Sequence, residues 1–259
     1  MNILLAFKAE SDLSMLSESD WQSAAAGICG PDSALMRVVM GNDEQGAAEL
    51  MLQAKEANPA LTLSAVTLGD ERALPALRHL AALGFMRQSL LKCEDDIRFT
   101  PEFVAERLAI HVREQNVGLV LLGSQSSEGQ NGQTAWLLAE KLGWPCLSQV
   151  CGLRVDGDGF VVECESLQRR SRWQVQQPAV LRVQHRGQMA LRVPGMRARL
   201  AAAKMDIEKR ECELAGLPAV SCLTLERIIS RRSGIMIDEP PSQAAQRLWQ
   251  EYLAERMQP

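Results

Sequence analysis

The chain has no basic excess, no long apolar run and no metal-ligand spacing. Its 259 residues carry 28 Lys and Arg against 32 Asp and Glu, a formal charge of −4. A surface built to follow a phosphate backbone carries a surplus of Lys and Arg, so nucleic acid is not an expected partner. No stretch approaches the ~20 apolar residues that cross a bilayer, which argues against stable membrane insertion. The first apolar run, Ile3-Leu4-Leu5-Ala6-Phe7, stops at Lys8 with no basic leader and no small-residue cleavage site, so no secretory signal is read and a cytoplasmic chain is expected. The seven cysteines (Cys29, Cys93, Cys146, Cys151, Cys164, Cys212, Cys222) are odd in number and contain no C-x-x-C spacing, which fits buried thiols in a reducing compartment better than a disulfide framework. His79, His111 and His185 fall at no metal-ligand spacing, and no metal site is expected.

Catalytic signatures are missing too. There is no G-x-x-x-x-G-K-[ST], no G-x-G-x-x-G opening a helix and no G-x-S-x-G, so an ATPase, a conventional nicotinamide dehydrogenase and a nucleophile-elbow hydrolase all lose their usual support. No repeat of solenoid length is visible.

What is present is an alternation of strands and helices. Short apolar runs at 2–8, 61–68, 88–92 and 117–122 read as strands, and helical stretches are expected at 43–56, 71–83, 101–114 and 131–142. Parallel strands need such crossover helices. After Pro145 the pattern turns to a hairpin (149–155 and 160–165 around Gly157-Asp158-Gly159) and a strand at 178–184, all expected to extend the sheet antiparallel. Beyond Pro194 a helical stretch to about residue 210, a Pro-interrupted segment through Pro240-Pro241 and an amphipathic helix at 243–256 complete the chain. The expected fold is α/β, a Rossmann-like three-layer parallel sheet with an antiparallel extension and a C-terminal helical arm. Its organisation is an α/β domain over 1–190 followed by a loop and arm over 191–259.

In an open parallel sheet the ligand sits beyond the carboxyl ends of the strands. The informative segment there is Gly123-Ser124-Gln125-Ser126-Ser127-Glu128-Gly129-Gln130-Asn131-Gly132-Gln133-Thr134. Small and flexible residues between a strand and a helix start let backbone N–H groups approach an anion, and the helix dipole favours it. The same composition also serves as plain turn chemistry with an N-cap.

The order and spacing of this loop resemble the nucleotide-binding stretch of electron-transfer flavoprotein beta subunits, with Gly123, Gln125, Gln133 and Thr134 in register. The resemblance continues through Ile3 to Lys8, Asp43-Glu44 with the following helix, Val66-Thr67-Leu68-Gly69, Ala82-Leu83-Gly84, Trp144-Pro145, Gln177-Pro178-Ala179-Val180, Val193-Pro194-Gly195-Met196-Arg197-Ala198 and Arg232-Ser233-Gly234-Ile235. It implies an adenine-nucleotide-hydrolase-like fold and a non-enzymatic subunit of a heterodimer that carries electrons from a flavin-dependent dehydrogenase to a downstream acceptor. The redox FAD would be held mainly by the alpha subunit, with AMP or a second FAD in this chain.

By the same resemblance, Ala6 and Leu68 would contact the adenosine, the 123–134 loop would wrap the phosphate, Leu13 would face the flavin, and Val193, Pro194, Gly195 and Met196 would meet the dehydrogenase. Three departures from the family pattern stand out. Glu128 and Gln130 occupy the loop centre where many members carry two acids, Leu13 takes a position that can be aromatic, and Ser166-Leu167-Gln168-Arg169-Arg170-Ser171-Arg172 replaces a glycine-rich turn. Two other readings of the scaffold are a nucleotide-binding sensor and an adenine-nucleotide-hydrolase-like enzyme.

Overall fold

A computed structural model describes residues 1–26, 36–127, 131–176, 178–186, 189–214 and 234–254. In chain order the elements are β1 (Asn2–Phe7), β2 (Ala9–Ser11), α1 (Glu18–Ala26), β3 (Val38–Met40), α2 (Asn42–Ala57), β4 (Thr62–Gly69), α3 (Leu74–Ala82), β5 (Arg87–Lys92), α4 (Pro101–Glu114), β6 (Leu119–Gly123), α5 (Thr134–Leu142), β7 (Cys146–Asp156), β8 (Gly159–Glu165), β9 (Arg170–Val175), β10 (Ala179–Val183), α6 (Met196–Ala202), β11 (Glu208–Glu211) and α7 (Pro241–Leu248). Among the described residues nine strands form one sheet in the order β11-β5-β4-β1-β6-β10-β7-β8-β9, and β2 pairs with β3 apart from it. Every neighbouring pair from β11 to β7 is parallel. β8 and β9 continue the sheet antiparallel.

The apolar runs are continuous because helices cover both faces of the parallel region. Ile3, Leu5 and Phe7 of β1 pack with Ala47 and Met51 of α2 and Leu77 and Leu80 of α3. Leu4 and Ala6, pointing the other way, pack with Leu108 and Val112 of α4 and Leu138 of α5. Each fully buried Leu or Ile stabilises the fold by roughly 1.5–3 kcal/mol, so the two clusters fix which side chains stand at the strand ends.

The α/β architecture matches the expectation, and three local readings change. The strands expected at 149–155 and 178–184 to be antiparallel are β7 and β10, which both run parallel to β6, β10 inserting between β6 and β7. The helix expected to run from Pro194 to about 210 ends at Ala202, and Glu208–Glu211 pairs with β5 as a parallel edge strand. Its charges explain both the misreading and the placement. Lys209 pairs with Glu71, Arg210 with Glu208 and Glu114, and Glu211 with Lys92, a charged dressing suited to an exposed sheet edge. Finally, α5 begins at Thr134 and not at Asn131, because Gly132 takes φ +62°, outside the helical region.

Several residues named above lie outside the described ones: Cys29, Cys222, Gln177 ahead of β10, Arg232 and Ser233, and the end of the helix expected over 243–256.

Candidate nucleotide cleft

From β1 the chain steps to β4 and β5 on one side and returns through α4 to β6 on the other, so the order reverses between β1 and β6. In such sheets the crevice beyond the carboxyl ends of the strands at that reversal is where ligands bind. A cleft opens there. One wall is apolar, made by Leu68 at the end of β4, Ile97 ahead of α4, Val104 and Leu108 along α4, Leu122 of β6 and Ala135 of α5. The other is polar, made by Lys8, Glu44, Arg98, the 123–126 backbone, Asn131, Gly132 and Thr134.

Of the residues expected to bind nucleotide, Ala6, Leu68, Gly123, Ser124, Gln125, Ser126, Asn131, Gly132 and Thr134 line this cleft. Ser127 and Gln133 belong to the same loop without lining it. Glu128, Gly129 and Gln130 lie outside the described residues. Leu13 is half-buried on a short 3-10 turn whose cap Asp12 accepts a bond from the Ser14 N–H, and it does not line the cleft. Val193, Gly195 and Met196 are exposed at the head of α6, with Val193 at 74% and Met196 at 71%, while Pro194 is buried.

The loop after β6 is held by carboxylates. Asp43, in the first turn of α2, accepts from the backbone N–H groups of Ser124 (3.1 Å) and Gln125 (3.2 Å), and from that of His185 (2.7 Å). Glu10 of β2 accepts from the N–H (2.8 Å) and hydroxyl of Ser127 and pairs with Lys8 at 2.9 Å. Burial opposes the ionisation of Glu10, but the Ser127 hydroxyl and the Lys8 ammonium outweigh it and hold the carboxyl below its ordinary range. From the opposite side Arg182 of β10 donates to the Ser124 carbonyl at 2.8 Å.

The amides of Ser124, Gln125 and Ser127 are thus already satisfied by protein oxygens. The polar end suited to a phosphate is the start of α5. That helix opens without a side-chain cap, so its dipole and first-turn N–H groups favour an anion. Lys8 and Arg98 line the same cleft.

Glu44 is the group that sequence reasoning missed. It is 5% exposed. Its Oε2 has no hydrogen-bond partner among the described residues, and its own backbone N–H is the one bond that favours its ionised form. The carboxyl fits only because two glycines flank it: a Cβ at Gly41 would stand 2.4 Å from Oε2, and one at Gly123 would stand 2.4 Å from Cδ. Burial, reinforced by the Glu10 and Asp43 charges, pushes its pKa up to about 7. An acidic pair in the first turn of a helix reads as ordinary dipole stabilisation, which is why neither Asp43 nor Glu44 stood out as a site residue. Lys8 entered the resemblance as the end of the first strand without a site role, and Arg98 and Arg182 carried no motif signal.

A family model described as "Electron transfer flavoprotein domain" matches residues 38–214, which span the loop, most of the sheet and α6. The chain belongs to the electron transfer flavoprotein family. It is 48% identical over 260 residues to an Escherichia coli (strain K12) protein named "Putative electron transfer flavoprotein subunit YgcR", covering 100% of each chain. It is 26% identical over 212 residues, 79% of this chain and 82% of the relative, to "Electron transfer flavoprotein subunit beta" of Bacillus subtilis (strain 168). Against the protein of the same name from Bradyrhizobium diazoefficiens it is 31% identical over 136 residues, covering 52% of this chain and 54% of the other. Among the described residues no helix is long and apolar enough to cross a membrane, and no group of three or more His, Cys, Asp or Glu is placed to hold a metal ion.

Proposed function

We propose that this chain is the beta subunit of a heterodimeric electron-transfer flavoprotein: a cytoplasmic carrier subunit with no substrate chemistry of its own. The observation that carries the reading is the cleft at the reversal of strand order, apolar along α4 and polar along the loop after β6, in a chain of this family. A flat aromatic base suits the apolar wall and a phosphate suits the polar end.

Ala6 and Leu68 then face the adenosine, and the 123–134 loop, Glu128, Gly129 and Gln130 included, closes over the phosphate of AMP or of a second FAD. The FAD that exchanges electrons with a flavin-dependent dehydrogenase and a downstream acceptor is held mainly by the alpha subunit. This chain's part is to bind, orient and exclude water. Leu13 shields the flavin edge, an apolar task that leucine can perform without stacking.

Residues 1–190 form the nucleotide-binding domain, and 191–259 supply the recognition loop and the arm that packs on the alpha subunit. Val193 and Met196, exposed beside the buried Pro194 and the helix start at Gly195, are the apolar anchor offered to the dehydrogenase.

The test is to copurify the chain with its alpha subunit, denature the complex and identify each released nucleotide by mass spectrometry with its stoichiometry. One FAD with one AMP per heterodimer is the result expected of a single-flavin carrier, and two FAD mark a two-flavin type. FAD at one per heterodimer with no second nucleotide would remove the cleft from the reading.

A further inference from the structure

We propose that Cys93 and Cys212 form a redox modification site: a reversible disulfide, exchanged with a small thiol–disulfide couple of the glutathione class, that fastens the edge strand β11 to β5. The inference goes beyond the nucleotide cleft and does not depend on what fills it.

The two thiols come from distant parts of the chain and meet at one place. β5 and β11 run parallel with Glu211 opposite Lys92, so Cys93 and Cys212 are the next residues on either side. The pairing continues past the strand ends: the Cys212 N–H donates to the Lys92 carbonyl at 2.7 Å, and the Leu214 N–H donates to Asp95 Oδ2 at 2.9 Å. Both side chains pack into the apolar cluster that holds Leu91, which places them on one face of the sheet. Neighbouring strands lie about 4.8 Å apart, within the Cα separation of roughly 4.4–6.8 Å that a disulfide spans. β5 ends at Lys92 and β11 at Glu211, so the small approach that joins the sulfurs falls on backbone beyond the ladder. Both cysteines are free thiols.

Exposure orders the chemistry. Cys212 is half-buried, whereas Cys93 is almost fully enclosed. Burial pushes both thiols up, and at Cys212 the Arg107 charge works against it. The Cys212 thiolate attacks one sulfur of glutathione disulfide, whose S–S bond breaks and releases a glutathione thiolate. The Cys93 thiolate then attacks the Cys212 sulfur and releases the second glutathione. Two cysteine thiols are oxidised, one glutathione disulfide is reduced, and the two protons pass to the released thiolates. Excess reduced glutathione runs the same steps backwards.

The place gives the bond an effect. Cys151 and Cys164 sit on β7 and β8, strands already paired along their length, so a link there would constrain little. β11 has β5 as its one strand neighbour and four register pairs. Its ion pairs to Glu71 and Lys92 are exposed and add little. It also lies between α6 and the C-terminal arm, so the crosslink fixes the root of that arm to the core.

The test uses the reduced full-length chain, equilibrated with glutathione disulfide, alkylated and digested with trypsin without reductant. Mass spectrometry should find the peptide over 93–98 joined to that over 211–227 with the loss of two hydrogens, and dithiothreitol should separate them. Cys222 shares the second peptide, so Cys222→Ser is oxidised in parallel and should give the same link. Hydrogen exchange over 208–211 should slow at least about tenfold on oxidation, and in Cys212→Ser oxidation should leave it unchanged. No link in the native chain, glutathione retained on Cys212, a link lost in Cys222→Ser, or one between Cys151 and Cys164 in its place would each overturn the site. A Cys93–Cys212 link with unchanged exchange would overturn the fastening of β11. The native and Cys222→Ser peptide maps decide even where Cys212→Ser does not fold.

Discussion

At the scale of single residues, Glu44 is held where its charge is costly. Its carboxyl titrates near 4.5 in an unfolded chain and at about 7 in the fold, raised by burial and by the Glu10 and Asp43 charges, with Lys8 the opposing cation. Between those values the folded state keeps a proton that the unfolded chain has released, so stability falls as pH rises through the window. Above about pH 7 the deficit is on the order of 3 kcal/mol. A neutral amide at this position does not titrate. Glu44→Gln should therefore melt about 5–10 °C above the native chain at pH 8, with the difference shrinking toward pH 5. Parallel melting curves across that range would show that Glu44 does not carry the proton. A residue that lowers stability at neutral pH while touching a cleft is the usual signature of function traded against stability. The sequence showed Asp43-Glu44 only as a block resembling the family, without a site role; burial and the clash-free gap between Gly41 and Gly123 exist only once β3, α2 and β6 converge.

At the scale of elements, α2 connects two parts of the proposed machinery. Its first turn carries Asp43 and Glu44 at the cleft, and further along it Glu49, 6% exposed, binds Arg192. The guanidinium reaches Glu49 at 2.7 Å and also pairs with Glu56, and the Arg192 N–H donates to Glu49 at 3.2 Å. Arg192 immediately precedes Val193, so this clamp roots on a helix the exposed segment proposed above to meet the dehydrogenase. Burial pushes the Glu49 pKa up, but the Arg192 bonds outweigh it and leave the carboxyl below its ordinary range.

The pair's stabilisation is thus present above about pH 4.5 and lost as pH falls through the lower folded value. Arg192→Met should cost about 1–3 kcal/mol at pH 7, with the gap from the native chain narrowing below pH 4.5. Urea titrations at pH 7 and pH 3.5 measure both; a pH-independent difference would mean that the loss is packing and not charge.

Element identity was largely legible, because β1, β4, β5 and β6 are apolar runs of strand length separated by helical stretches. Direction was not. β7 is irregular on both sides of Val150, and Gln149 within it takes φ +57°, an uncommon conformation for a non-glycine residue that no residue pattern announces. With only residues 176–178 between β9 and β10, a span of at most about 13 Å, the strands after that kink must fold back toward the start of β10, which then inserts parallel.

At the scale of the whole molecule, the ordered matches from Ile3 to Ile235 made the family readable, and the sheet supplies its cleft without help. The C-terminal segment is different. No residue of α7 is buried, and the π-helical turn that follows, Trp249–Leu253, buries none either. Leu248, Trp249 and Tyr252 stand 44%, 51% and 36% exposed, at spacings that place them along one side of the helix. A helix this short is marginal in water unless an apolar side is covered, and the Arg247 bonds to Glu239 and Glu251, exposed ion pairs, contribute little.

The cover proposed above is the alpha subunit, and the two aromatics are the residue types that dominate such interfaces. Replacing both, Trp249→Ala with Tyr252→Ala, should leave the isolated chain's melting temperature within about 2 °C, because exposed side chains contribute little to folding. The same double variant should weaken association with the alpha subunit at least about tenfold in analytical ultracentrifugation. A lower melting temperature with unchanged association would instead assign the arm to this chain's own surface and leave the alpha subunit to dock elsewhere, whereas the expected pair of results identifies α7 as a segment whose stability is completed only in the heterodimer.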